Sequence, residues 1–148
     1  MKKLFVYYSL TGNLDIVSEK LKEQGFETRK VSTLKKMPKR MLPLMMKGGF
    51  LAALKAKSKL QEFDQNIEDF EEIYIGSPIW NGALSSPINT VLSLLDLKDK
   101  KVTFILSAGS GEGKKALKRI TKEYPDAKVI FLKEPKKYPE ELDKVSID

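Results

Sequence analysis

Three short stretches combine residue types that suit a bound ligand better than a simple turn. The first is Ser9-Leu10-Thr11-Gly12-Asn13-Leu14, which follows the apolar run Leu4-Phe5-Val6-Tyr7-Tyr8. Two hydroxyls, an amide and a flexible glycine stand where a strand ends and a helix starts. Unpaired backbone N–H groups and the positive end of a helix dipole favour an anion at such a place. The segment holds no Lys, so an anion there would rest on neutral donors. Thr11 or Asn13 acting as a plain N-cap is the competing explanation.

The second stretch, Gly76-Ser77-Pro78-Ile79-Trp80-Asn81-Gly82, carries the single Trp of the chain among prolines and glycines. Its indole either covers a flat ligand or belongs to the core. Asn81-Gly82 reaches positive φ at low cost, so its backbone can change conformation cheaply. The third is Ser107-Ala108-Gly109-Ser110-Gly111-Glu112-Gly113. It fails the Walker A pattern, since Ala108 and Lys115 stand where Gly and Ser or Thr are needed, and Glu112 would repel phosphate. A small backbone-rich wall against a flat ligand, or an ordinary flexible turn, accounts for it.

Absent residue types narrow the chemistry. With no Cys there are no disulfides, thiolate nucleophiles or Cys-ligated metals, and with no His there is no Ser-His-Asp triad and no His-bound zinc. Any demanding reaction therefore calls for a cofactor.

The elements that must position these stretches alternate along the chain. The continuous apolar run at 3–9 reads as a strand buried on both faces, and 71–77 and 101–107 read as further strands. Residues 26–32 alternate apolar and polar, as a strand near a sheet edge does, and 127–133 closes the series. Helices are expected over 14–24, over 86–96 with Ser86 as cap and Pro87 in the first turn, over 114–124 and over 139–145. Strands alternating with helices imply an α/β fold, a doubly wound five-stranded parallel sheet in one domain spanning 1–148. Ligands in such sheets collect beyond the carboxyl ends of the strands, where the three stretches would meet.

Together, "YYSLTGN", "IGSPIWNG" and the glycine-rich third loop resemble the flavodoxin-like family over nearly the whole chain. The first is similar to that family's phosphate loop, S/T-x-T-G-N-T. The resemblance implies strand order 2-1-3-4-5, a short-chain form and bound FMN. By it, Ser9, Leu10, Thr11, Gly12, Asn13 and Leu14 surround the phosphate. Pro78, Ile79, Trp80, Asn81 and Gly82 form one wall of the flavin ring site, with Trp80 against the ring. Ser107, Ala108, Gly109 and Gly111 lie in the opposite wall. The implied function is FMN-dependent electron transfer; an NAD(P)H-dependent reductase of quinones or similar acceptors, or a descendant with weakened flavin binding, are the alternatives.

The chain departs from the family pattern at three points. Leu14 replaces a second Thr, and a lost hydrogen bond to a charged group would lower affinity about ten- to a hundredfold, with Asp15 adding repulsion. The third loop has no Tyr or Trp, so the ring would be covered on one side only. The family's electron carriers are acidic, whereas this chain has a net charge of +7. A basic field favours the anionic reduced flavin, so a less negative second reduction step is expected.

That charge is local. Ten of the 27 Lys and Arg, and no Asp or Glu, fall between Arg29 and Lys59, within a long connection at about 33–66. Its middle is amphipathic. A helix with a solvated lysine face explains it, as does a dock for an acidic redox partner at 29–59, a lid on a nicotinamide phosphate, or contact with an anionic membrane. Nucleic acid is not expected, because aromatic residues are not interleaved with the charges. Membrane contact is the weaker expectation, and the cytoplasm is the default expectation where no signal-peptide pattern or span of ~20 apolar residues is read. Either a monomer or a homodimer is compatible with these features.

Overall fold

The computed structural model describes residues 2–35 and 57–146. In chain order these form β1 (Lys3–Tyr7), α1 (Asn13–Glu23), β2 (Glu27–Lys30), β3 (Glu72–Trp80), β4 (Ala83–Leu84), α2 (Ser86–Leu94), β5 (Lys101–Ala108), α3 (Lys114–Glu123), β6 (Lys128–Lys133) and a closing 3-10 helix (Pro139–Val145). The parallel sheet runs β2-β1-β3-β5-β6. This is the expected five-strand order, renumbered because the two-residue β4 pairs antiparallel with the end of β3. Much of the basic amphipathic stretch expected within 33–66 lies outside the described residues.

Alternation along the central strands explains why both sheet faces are covered. Leu4, Val6 and Tyr8 join Ile73, Ile75, Phe104 and Leu106 in one apolar cluster, while Phe5, Tyr7 and Ile105 join the other. The second cluster receives α1, whose Leu14, Val17 and Leu21 recur at helical spacing. Phe5 and Tyr7 stack nearly parallel on this face, 4.8 Å between centroids. Gly76 makes room for them, since a Cβ there would come within 2.5 Å of Phe5 Cζ. β2 is an edge strand, as its alternation suggested, and none of its residues is fully buried.

Two local expectations are revised. β3 does not stop at Ser77 but continues through Trp80, because Pro78 still pairs with Ser107 of β5 and Ile79 and Trp80 then pair with the returning β4. Ser85, not Ser86, is the N-cap of α2; Ser86 and Pro87 occupy its first turn. Among the described residues no helix is long and apolar enough to cross a membrane.

Two described cations of the basic stretch are committed within the fold. Arg29 pairs with Glu27 at 2.7 Å and Asp64 at 3.4 Å, and donates to Asn66 O at 2.6 Å. It thereby straps the returning connection onto β2. Lys30 Nζ lies 2.8 Å from Asp15.

Candidate functional site

The turn between β1 and α1 owes its shape to Gly12, whose φ of 94° places it in the left-handed region at the N-cap position. A helix leaves its first N–H groups without intrahelical partners. Neither Thr11 nor Asn13 caps them. Instead Ser9 Oγ accepts from Gly12 N at 3.2 Å and from Leu14 N at 3.3 Å. One hydroxyl oxygen thus sits in a nest of backbone donors, the place an anion's oxygen would take.

Leu14 is 1% exposed and packs in the cluster beneath α1. Its departure from the family's Thr is thus a core contact as well as a missing hydroxyl. Asp15 does not stand unopposed beside the turn: it accepts from Tyr7 Oη at 3.2 Å as well as facing Lys30. Burial raises the Tyr7 phenol above its ordinary pKa, so this hydroxyl stays a donor.

A cation reaches the turn from the far end of the chain. The backbone N–H of Lys136 donates to Asn13 Oδ1 at 2.9 Å, and its Nζ donates to Thr11 O at 3.2 Å. Asn13 Nδ2 in turn donates to Thr11 Oγ1 at 3.1 Å. Lys136 sits in a tight turn after β6, where Glu134 O accepts from Lys137 N and Tyr138 N, both at 2.9 Å. Glu134 starts that turn with a φ of 32°. From beneath, Glu141 Oε1 accepts from Lys133 N at 2.7 Å and Lys144 Nζ at 2.9 Å, contacts that hold its carboxyl below the usual carboxylate range.

The opposite wall is built by packing. Asn81 and Gly82 have φ of 51° and 81°, a two-residue hairpin turn that pairs Trp80 with Ala83 and Ile79 with Leu84. Ala116 N donates to Gly82 O at 2.9 Å, tying the turn to α3. The cheap backbone change expected of Asn81-Gly82 is therefore opposed from two sides. Trp80 is 2% exposed and meets Tyr8 edge to face at 6.0 Å, so most of the indole belongs to the core. Beneath it, the buried Ser77 Oγ lies 2.9 Å from Ser85 Oγ and accepts from Ser85 N at 3.0 Å.

Between these walls, beyond the carboxyl ends of β1, β3 and β5, lies a cavity of about 410 Å³. Ser9, Leu10, Thr11, Asn13 and Leu14 line it on one side, Pro78, Ile79 and Trp80 on another, and Ser107, Ala108 and Gly109 on a third. Gly12 shapes its turn from behind. Asn81 and Gly82 line a neighbouring hollow with Lys114 and Lys115, which shares Ile79, Ala108 and Gly109 with the cavity. Gly111 lines neither; its N–H donates to Ala108 O at 3.1 Å and braces the third loop. Glu134, Lys136 and Lys137 also line the cavity, and sequence reasoning missed all three. The available signal was topological: the loop after the last strand opens at the same end of a parallel sheet as the others.

A donor-rich turn at the start of a helix, next to a slot between two strand ends, is an arrangement suited to an anionic, partly planar ligand in a doubly wound α/β fold. Residues 51–144 match the sequence profile of the flavodoxin family, and the chain belongs to that family. A search among curated proteins returned no match. Among solved structures, a candidate flavoprotein of Bacteroides eggerthii superposes with a TM-score of 0.75 at 22% identity, covering 99% of each chain. A second candidate flavoprotein, from Bacteroides uniformis, gives 0.72 at 22% identity over 86% of this chain and 88% of its own. A flavoprotein of Lactobacillus acidophilus, solved in complex with FMN, gives 0.69 at 21% identity over 94% and 97%. These likenesses establish a shared fold.

Proposed function

We propose that the cavity binds FMN and that the protein carries electrons between redox partners. The observation that carries this reading is the convergence, in one space, of the Ser9–Leu14 donor turn and a slot edged by Trp80 and the Ser107–Gly109 backbone. About 410 Å³ falls within the ~300–1,000 Å³ of small-molecule sites. The FMN complex of the Lactobacillus acidophilus protein supports the choice of ligand.

Bound there, FMN would supply the one- and two-electron chemistry that no side chain of this sequence offers. The chain's own contribution is binding and orientation. Backbone N–H groups of Gly12 and Leu14, with the hydroxyls of Ser9 and Thr11 and the amide of Asn13, would hold the phosphate. Pro78, Ile79 and Trp80 set one side of the ring slot, and the small residues Ala108 and Gly109 leave the other side open to a flat heterocycle.

Fluorescence-quenching titration of the purified protein with FMN tests the reading directly. Saturable quenching at one FMN per chain is expected, and a protein that leaves FMN fluorescence unchanged ends it. Redox titration should then show a second reduction step less negative than in an acidic carrier, in keeping with the charge of +7.

The hollow beside the cavity carries a second reading, an NAD(P)H-dependent reductase, because Lys114 and Lys115 there, against the single carboxylate of Glu112, could meet a nicotinamide phosphate. Steady-state NAD(P)H oxidation by the loaded protein separates the two. An acidic redox partner remains part of the proposal, as does cytoplasmic residence. Of the stretch 29–59, Lys35, Lys57 and Lys59 are exposed, whereas Arg29 and Lys30 are engaged within the chain. Electron-transfer rates that fall steeply with salt would support docking at those lysines.

A further inference from the structure

We propose that Lys136 is the phosphate-selecting residue of this site, a cation that lets the protein distinguish FMN from riboflavin by charge. The proposal rests on the FMN reading above and goes beyond it in assigning selectivity to one side chain from a loop outside the phosphate turn.

Four observations converge. The turn from Ser9 to Leu14 contains no cation of its own, yet a phosphate monoester is close to a dianion at neutral pH. Leu14 is held in the core and donates nothing beyond its backbone N–H. Lys136 is fixed over this turn at two points, by its own N–H on Asn13 Oδ1 and by Nζ on Thr11 O. Its ammonium stands so close to Gly12 that a Cβ on that glycine would be 3.5 Å from Nζ. An ammonium has three donors, and Thr11 O takes one of them.

The placement is specific rather than a consequence of a lysine-rich surface. Asn13 orients the Lys136 backbone across 123 positions of sequence. Lys133 and Lys137, its near neighbours, lie over the Tyr138 ring at 4.9 and 5.6 Å. The one carboxylate lining the cavity, Glu134, sits toward Gly109, its Oε1 3.5 Å from where a Cβ on that glycine would be. Negative charge thus flanks the third loop, and positive charge flanks the helix N-terminus, the polarity a phosphate at that end requires. A charge-assisted hydrogen bond is about twice as strong as a neutral one, so one ammonium can offset the hydroxyl that Leu14 lacks.

The test compares FMN and riboflavin affinities of the wild type, Lys136→Gln and Lys136→Arg at low and moderate salt. Lys136→Gln should weaken FMN binding about ten- to a hundredfold and leave riboflavin binding within about twofold, since the ring slot is untouched. Lys136→Arg should recover most of the loss. Wild-type preference for FMN should shrink as salt rises, and that dependence should be weaker in the Gln variant. Unchanged FMN affinity in Lys136→Gln overturns the proposal, as does a parallel loss of both ligands, which would mark a purely structural residue. A wild type that binds neither flavin overturns the FMN reading itself, a result distinct from either of those.

Discussion

The two ends of the cavity are built by opposite means. At the β1–α1 end, geometry is held by hydrogen bonds at or near the surface: the part-buried pair from two N–H groups to Ser9 Oγ, and the exposed cross-links among Thr11, Asn13 and Lys136. At the β3–β4 end it is held by burial, with Trp80 and Leu84 each 2% exposed and the Ser77–Ser85 bracket beneath them. Hydrogen bonds to water and to a ligand are interchangeable at small net cost. A packed hairpin has no such exchange available. The donor end is therefore the adaptable half of the site, and the apolar end is the rigid template that fixes a plane.

Substitution at the rigid end should cost most. Trp80→Ala removes a fully packed indole and should lower unfolding free energy by about 3–5 kcal/mol in urea titration. A loss under about 1 kcal/mol would mean that hairpin pairing, not the indole, holds that wall. Leu14→Thr tests where the adaptable end meets the core. It should cost about 2 kcal/mol of stability, from lost apolar volume, while raising FMN affinity up to about tenfold through the regained hydroxyl. Equal movement of both quantities in one direction would break the distinction between the two ends.

Ser9→Ala should cost the free protein about 1 kcal/mol, as loss of a cap does. That deficit should widen when FMN is saturating, because the variant also lacks a hydroxyl that would hold the phosphate; an equal deficit with and without FMN would show that Ser9 serves the turn alone. The smallest effect concerns acid. Glu141 titrates below the ordinary carboxylate range, so its contribution is complete above that range and fades as pH falls through its lowered value. Glu141→Gln should remove this acid-dependent slope from the stability curve, leaving stability at neutral pH slightly lower than in the wild type. A variant whose acid limb overlays the wild type would show that Lys133 and Lys144 hold the turn by other contacts.

Much of the architecture was legible because the central strands read as unbroken apolar runs, and because Val17 and Leu21 of α1 fall at helical spacing. The long-range closure was not. Lys136 lies in a Lys- and Pro-rich stretch that reads as plain surface, and no local spacing reports that it returns to Asn13. β4 was hidden by its length, since two residues carry no periodicity, although Asn81-Gly82 was a hairpin signal. Ser77, at the end of the expected strand, is buried, and its polarity is answered by another serine eight positions on, a pairing that no local spacing reports. The closing segment was expected as a helix and is a 3-10 helix, short enough that propensity does not decide between them.

The link between Asn13 and Lys136 also bears on how the molecule matures. The turn between β1 and α1 waits for the last strand of the sheet, since Lys136 reaches it only once β6 has docked beside β5. Contacts of such long sequence separation form late. During translation, a polypeptide emerged only as far as β5 would already display the nest of amides but not Lys136, so on the Lys136 proposal tight cofactor loading should wait until β6 and the loop after it have emerged.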